Sequence, residues 1–378
     1  MKTLFKNVNV YTEYHVLRNS SLLIEKGIIK RIGHQHTSDG EVVDGEGLNL
    51  IPGFIDGHIH GAGGADVMDG TPEAIKQIAQ TVLEEGVTSF VPTTITSEHQ
   101  EIERVLDIVG ELNLKQGAEV LGLHIEGPFV EIKKAGAQPK EYIVKPNVNM
   151  MKRWVGKSKG MIKTVTMAPE LDMDGELIQY LVDKGIIASA GHTDAGSREI
   201  KLAVERGVRQ MTHLCNAMNG IHHRDVGAVG AAMLLPDLKS EIIADRIHVT
   251  DDMLRLIYQT IGPDRILLIT DAMRAKGQPD GTYKLGGQDV TVKQGKATLS
   301  DGTLAGSLLT MDQAARNMVK VTGASFRDII QMASVNPAKQ LGVFNRKGSI
   351  EVGKDADLLL VDSNFHIQKT ICRGVVYD

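Results

Sequence analysis

Polar and apolar positions alternate through three short stretches near the start of the chain, residues 4–10, 21–32 and 41–50, separated by glycine-containing turns such as Glu25-Lys26-Gly27. A period of two turns one face of each stretch toward a core and the other toward water, which predicts a small β module. The opening MKTLFKNVNVYTEYHV shares this alternation and has no continuous apolar run, so it reads as a strand and not as a signal peptide. From about Ile51 the rhythm changes to apolar runs bounded by Gly, Pro or Asp, alternating with longer amphipathic stretches. That is the pattern of β/α alternation.

Eight of these runs are strand candidates: residues 53–60, 88–92, 120–125, 162–167, 186–190, 210–214, 240–248 and 266–270. Helical patterns between them, such as 72–85 with its proline just after Thr71 and 175–184 ending before Gly185, supply the crossovers that parallel strands require. The fold class expected is therefore α/β, a (β/α)8 TIM-like barrel. A polar, glycine-rich, hairpin-like insertion occupies 276–302, and helical patterns follow at 310–323 and 325–341. Short strands return at the end, so residues 1–50 and 343–378 are expected to form one small β-sandwich domain beside a barrel of residues 51–342.

Composition narrows the function classes. Hydrophobic residues at 42% and charged residues at 24% describe a globular chain, neither disordered nor membrane-spanning, and no apolar run reaches spanning length. A net charge of −5 argues against a broad surface for nucleic acid or anionic lipid, so any phosphate must be held locally. The two cysteines, Cys215 and Cys372, give no disulfide framework, which makes a reducing cytoplasm the simpler setting.

The chemistry lies at the ends of the runs. FIDGHIH, LGLHIEG, ASAGH, QMTHL, ADRIH and LLITDAM each place a ligand-capable side chain at a strand's carboxyl end. In a barrel those ends share one rim, so His58, His60, Glu126, His192, His213, His248 and Asp271 are expected to line one cavity. Residues two apart on a strand point the same way, roughly 6 to 7 Å apart, which lets His58 and His60 face one ion. With Glu126, His192 and His213 the set offers enough N and O donors for a divalent metal, zinc or iron first, manganese or cobalt as well. His124 is either a supporting residue of the cavity or a packing residue, and Cys215 reads as an inert buried thiol. His222 and His223 fall in a polar loop, and His15, His34, His36, His99 and His366 fall outside the rim pattern. Asp271 follows an apolar run, where a carboxylate is costly unless a cation sits beside it; its alternative is a turn or cap residue. Beside a metal it is placed to take a proton from an activated water and then to protonate a departing amine.

The segments PGFIDGHIH, HIEGPF, AGHTDA, THLCNAMN, TDAM and LAGSLLTMD resemble the N-acetylglucosamine-6-phosphate deacetylase family of the amidohydrolase superfamily, over essentially the whole chain. The resemblance implies Glu126, His192 and His213 as the principal metal ligands, with His58 and His60 holding a second ion, so one or two ions per subunit. Glu126 stands where many amidohydrolases use a carboxylated lysine. The resemblance further implies an amino sugar phosphate as substrate, with Asn216, Ala217 and His248 against it and Leu304, Ala305 and Gly306 lining the acetyl pocket. It also implies a homodimer in which Arg224 reaches the phosphate across the interface. Two positions depart from the family pattern: Gln138 stands where a histidine near the substrate carbonyl is usual, and Arg246 where a glycine is usual. They leave open a related N-acetylated sugar phosphate or a cyclic amide as substrate. A catalytically silent barrel is the reading of another class, and relatives of that kind lose ligands that this chain retains.

Overall fold

The computed structural model describes residues 2–34 and 38–377; His36 lies outside them. Eight parallel strands form the barrel: Phe54–Ile59, Val87–Thr94, Leu123–Glu126, Ile162–Met167, Ile187–Ala190, Gln210–Met211, Lys239–Ile243 and Ile266–Ile269. Each pairs with the next in chain order. The circle closes at its carboxyl end, where the Asp271 N–H donates to His58 O (2.9 Å) and the Thr270 N–H to Asp56 Oδ1 (3.2 Å). Helices between the strands pack their apolar faces onto the barrel. Pro72–Thr81, capped by the Thr71 hydroxyl at Ala74 N (3.2 Å), buries Ala74, Ile75, Ile78 and Ala79.

Three expected strands are broken or end well short of their expected ranges, each for a local reason. Residues 120–125 divide into Glu119–Val120 and Leu123–Glu126 around Gly122, where a Cβ would lie 2.6 Å from Met161 O. Residues 210–214 stop at Met211, because His213 and Cys215 adopt positive φ (31° and 83°) and turn the chain onto the rim. Residues 240–248 stop at Ile243, since Asp245 Oδ1 accepts from the N–H groups of Ile247 and His248, both at 2.8 Å, and starts a turn.

The terminal segments join in one eight-stranded sheet. Leu358–Val361 runs antiparallel to Asn49–Pro52, which in turn runs parallel to Lys2–Tyr11. Bulges in Lys2–Tyr11 bend the sheet, so that Phe5, Val8, Val10, Leu22, Leu358 and Leu360 meet in one core. Alternate residues Leu359 and Val361 belong to the barrel's core instead. A strand buried on both faces explains why ADLLLV is apolar at consecutive positions. The insertion forms a three-stranded antiparallel sheet, Gly281–Leu285, Gln288–Lys293 and Lys296–Thr298, with its own cluster including Ile95, Met273 and Val290. No helix among the described residues is long and apolar enough to cross a membrane.

An ion cluster fastens the terminal sheet to the barrel. Arg346 grips both oxygens of Glu119 (2.6 and 3.0 Å) and reaches Asp355 (2.8 Å), while the buried Lys347 bonds Glu119 (2.8 Å) and Asp357. Burial pushes the Glu119 carboxyl up, but Arg346 and Lys347 outweigh it and hold the group at about 2. A folded-state pKa below the unfolded one means stability that is complete above the ordinary glutamate range and lost as pH falls through it toward 2. The ceiling is about 3 kcal/mol, less what solvent screens. Thermal melts from about pH 6 down to about pH 3 are expected to show a flatter decline for Glu119→Gln than for the parent; parallel declines would exclude the cluster as the cause.

Candidate metal centre

Six side chains converge where the barrel strands end. His58 lies within the first strand and His60 just beyond it; Glu126 is the last residue of the third. His192, His213 and Asp271 each follow their strand by two residues, and all three hold left-handed backbone, with φ of 47°, 31° and 48°. Such a conformation costs roughly 1 to 3 kcal/mol per non-glycine residue, and its recurrence at one rim marks a site where position outranks local comfort. The Asp271 turn is held in place by the closing bond to His58 O.

The hydrogen bonds behind the histidines fix what they present to the cavity. His60 Nδ1 faces Thr93 O (3.1 Å), His192 Nδ1 faces Lys134 O (2.9 Å), and His58 Nδ1 faces Glu241 Oε2 (3.0 Å). Carbonyls and carboxylates only accept, so each Nδ1 donates and each Nε2 points inward. Those nitrogens meet other acceptors. His213 Nε2 lies 3.1 Å from both His192 Nε2 and Glu126 Oε1, and His192 Nε2 is 3.4 Å from the same oxygen. His60 Nε2 lies 3.2 Å from Asp271 Oδ1 and 3.4 Å from Glu126 Oε2, with His58 Nε2 3.4 Å from His60 Nε2. Two donors about 2.0 Å from a tetrahedral ion stand roughly 3.3 Å apart. The donor set therefore fits divalent metal: Glu126, His192 and His213 form one group, His58, His60 and Asp271 another. Glu126 belongs to the first and also lies 3.5 and 3.4 Å from the Nε2 atoms of His58 and His60 in the second.

Electrostatics point the same way. Burial lowers the basicity of His58, yet Asp271, Glu241 and Glu126 outweigh it and hold the pKa at about 9; His60 and His192 are also raised by their carboxylates against burial. Burial pushes Asp271 up, but His58 and His60 hold it at about 2, and Glu126 is likewise held low by His58, His192 and His213. His124, buried and surrounded by other imidazoles, is lowered well below the ordinary range. A cavity with this balance draws positive charge into itself, whether protons or a cation.

The centre opens into a cavity of about 310 Å³, and the expected substrate residues divide. Asn216, Ala217, His248, Leu304, Gly306 and Gln138 line it. Asp245 Oδ2 accepts the His248 Nδ1–H at 2.6 Å, which leaves Nε2 free for a ligand. Ala305 does not line it: the residue is fully buried in the insertion's own cluster, its N–H donated to Ala297 O (3.0 Å). Arg224 also stands off the cavity, exposed on the loop before residue 227, against His223. Gln138 is less a free substrate contact than expected, because its amide donates to Glu126 Oε2 (2.7 Å) and its oxygen accepts from Thr96 N–H (2.8 Å). Arg246 turns away, paired through two 2.7 Å bonds with Asp251. Its φ of 66° explains why glycine suits that position. The sequence reading missed Glu241, Lys133, Lys134 and Thr303. Glu241 had a signal, an acid inside the run SEIIA; the two lysines, next to GAQ, had none beyond adjacency.

Known proteins share both the sequence and this architecture. The model of the amidohydrolase family matches residues 49–377. The N-acetylglucosamine-6-phosphate deacetylase of Bacillus subtilis (strain 168) is 45% identical over 98% of this chain and 96% of its own. The crystal structure of N-acetylglucosamine-6-phosphate deacetylase from Pasteurella multocida superposes with a TM-score of 0.94 at 32% identity, covering 100% of both chains. A point mutant of the Mycobacterium smegmatis N-acetyl-D-glucosamine-6-phosphate deacetylase, in complex with N-acetyl-D-glucosamine-6-phosphate, gives a TM-score of 0.91 at 29% identity over 100% of this chain and 98% of that one.

Proposed function

Because the chain belongs to the amidohydrolase family, and its rim carries an intact set of ligands and acid, we propose that it hydrolyses the acetamide of N-acetyl-D-glucosamine 6-phosphate to D-glucosamine 6-phosphate and acetate. The observation that carries this is the meeting of Glu126, His192, His213, His60 and Asp271 on the wall of one ligand-sized cavity, with the fully buried His58 just behind them.

A divalent cation held by these residues supplies a water of lowered pKa and polarises the amide carbonyl. Everything else falls to the chain. Asp271, whose carboxyl His58 and His60 hold low against burial, takes a proton from the water on one carboxylate oxygen as attack on the carbonyl carbon begins. The same oxygen returns that proton to the amide nitrogen as the C–N bond breaks and its electron pair leaves with the amine; the acetic acid formed keeps the water's second proton and becomes acetate by passing it to solvent or to the amine. Gln138, buried between Thr96 and Glu126, holds the Glu126 carboxylate in one orientation. Of the residues lining the cavity, Leu304 and Gly306 would flank the acetyl group, while Asn216, Ala217 and His248 would meet the sugar phosphate. Lys133 and Lys134 are the basic side chains on this cavity wall. Arg224, outside its own cavity, serves a neighbouring subunit's phosphate in a homodimer. Zinc or iron would suit the centre, with manganese or cobalt compatible with the same N and O donors. Two unpaired thiols, Cys215 and Cys372, suit a cytoplasmic setting.

Purified protein is expected to release acetate from N-acetylglucosamine 6-phosphate, to lose that activity on chelation, and to regain it when a divalent ion is restored. Colorimetric acetate assay before and after metal stripping decides it; full turnover with no metal present would contradict the proposal.

A further inference from the structure

Glu241 sits in the middle of the seventh barrel strand, 1% exposed, facing the barrel axis beneath the rim. A carboxylate enclosed this deeply costs several kcal/mol unless a charge or a full set of donors compensates it. Among the described residues its ion-pair partner is His58, with no lysine or arginine in reach. Its donors are all in place. Gln210 gives its side-chain amide to Oε1 (2.7 Å), and Gln340 in turn gives its own amide to Gln210 Oε1 (3.2 Å). Oε2 receives the His213 N–H (3.3 Å) and the His58 Nδ1–H (3.0 Å).

The result is a line of polar groups along the barrel interior, from Gln340 through Gln210 and Glu241 to His58, ending at His58 Nε2 among the inward-facing donors. Two of these bonds, from Gln210 and the His213 N–H, fix the carboxylate, with Gln340 holding Gln210 in turn; the third is the one through which it holds His58. An ionised carboxylate on Nδ1 holds the imidazole in a single tautomer and ring orientation, and makes the opposite nitrogen more basic.

We propose that Glu241 is a positioning residue for the metal centre, acting through His58: it fixes and strengthens His58 Nε2 as a ligand of the ion held with His60 and Asp271. This rests on the metal-dependent reading above. His58, His124 and Glu241 also stand close enough together to hold an ion, but they are then the support of an ion site and not a site themselves, because the His58 Nδ1 proton fills the space between imidazole and carboxylate.

The test is Zn²⁺ uptake by metal-stripped protein, followed by calorimetric titration, with the unfolding temperature of the metal-free form measured alongside. The parent is expected to take up two ions. Glu241→Gln, which keeps the shape and loses the charge, should weaken the less tightly held ion roughly tenfold, and Glu241→Leu roughly a hundredfold. Uptake by Glu126, His192 and His213, and metal-free stability of the Gln variant, should not change. On a His58→Ala background, Glu241→Gln should add no further loss, since its route to the ion is gone. Unchanged affinities in both variants, or an equal loss on the His58→Ala background, would overturn the role of Glu241 alone. A parent protein that takes up no Zn²⁺ would overturn this role together with the metal reading beneath it.

Discussion

Asp271→Asn is expected to lower kcat for acetate release by roughly 10²- to 10⁴-fold, the span attributed to a positioned acid and base. The asparagine keeps the side chain's shape but can neither take the water's proton nor hand one to the amine. Ion content should stay at one per chain or more, because Glu126, His192 and His213 form a ligand group that does not include Asp271. Elemental analysis beside steady-state kinetics separates the two effects. A variant that retains parental kcat removes Asp271 from the chemistry; one that loses activity and all its metal reassigns it as an indispensable ligand.

Glu126→Ala should be the more severe substitution. Its carboxylate lies within 3.5 Å of imidazole nitrogens from His58, His60, His192 and His213, so removing it withdraws the negative charge that both groups share. Four enclosed imidazoles would then face one another with a single nearby acid, Asp271, on the cavity side. Activity is expected to fall by on the order of 10³-fold or more, with metal lost from the purified protein. Retention of a full metal complement would show that Glu126 is replaceable and that the histidines alone suffice.

Much of this site could be read from the chain because a parallel barrel turns sequence position into spatial position. A polar residue just past an apolar run lands on one rim, so His58, His60, Glu126, His192, His213, His248 and Asp271 were legible without knowing any distance. What escaped were interactions set by side-chain direction across the barrel. Glu241 lies 183 residues from His58, and nothing in SEIIA announces that its carboxylate crosses the interior to an imidazole. Gln138 was legible as a cavity residue, but its bond to Glu126 depends on how the loop after the third strand folds back. Ala305 and Gly306 are neighbours in LAGS, and only the φ of 63° at Gly306 decides that one faces the cavity and the other the insertion's core. Strand ends differ from expectation for a related reason: the residues that leave the ladder, His213 and Asp245, do so through left-handed backbone or a side-chain turn, both invisible to hydrophobic period.

The pairing of Asn49–Pro52 with Leu358–Val361 bears on how this protein is made. An apolar edge near the start of the chain has its antiparallel neighbour roughly 300 residues further on, so at 5 to 20 residues per second the ribosome leaves that edge uncovered for about 15 to 60 seconds. Throughout that interval the nascent chain carries an open template for pairing with a second copy. Its early segment is thus the place where crowded translation and hold-up by a chaperone would be felt first.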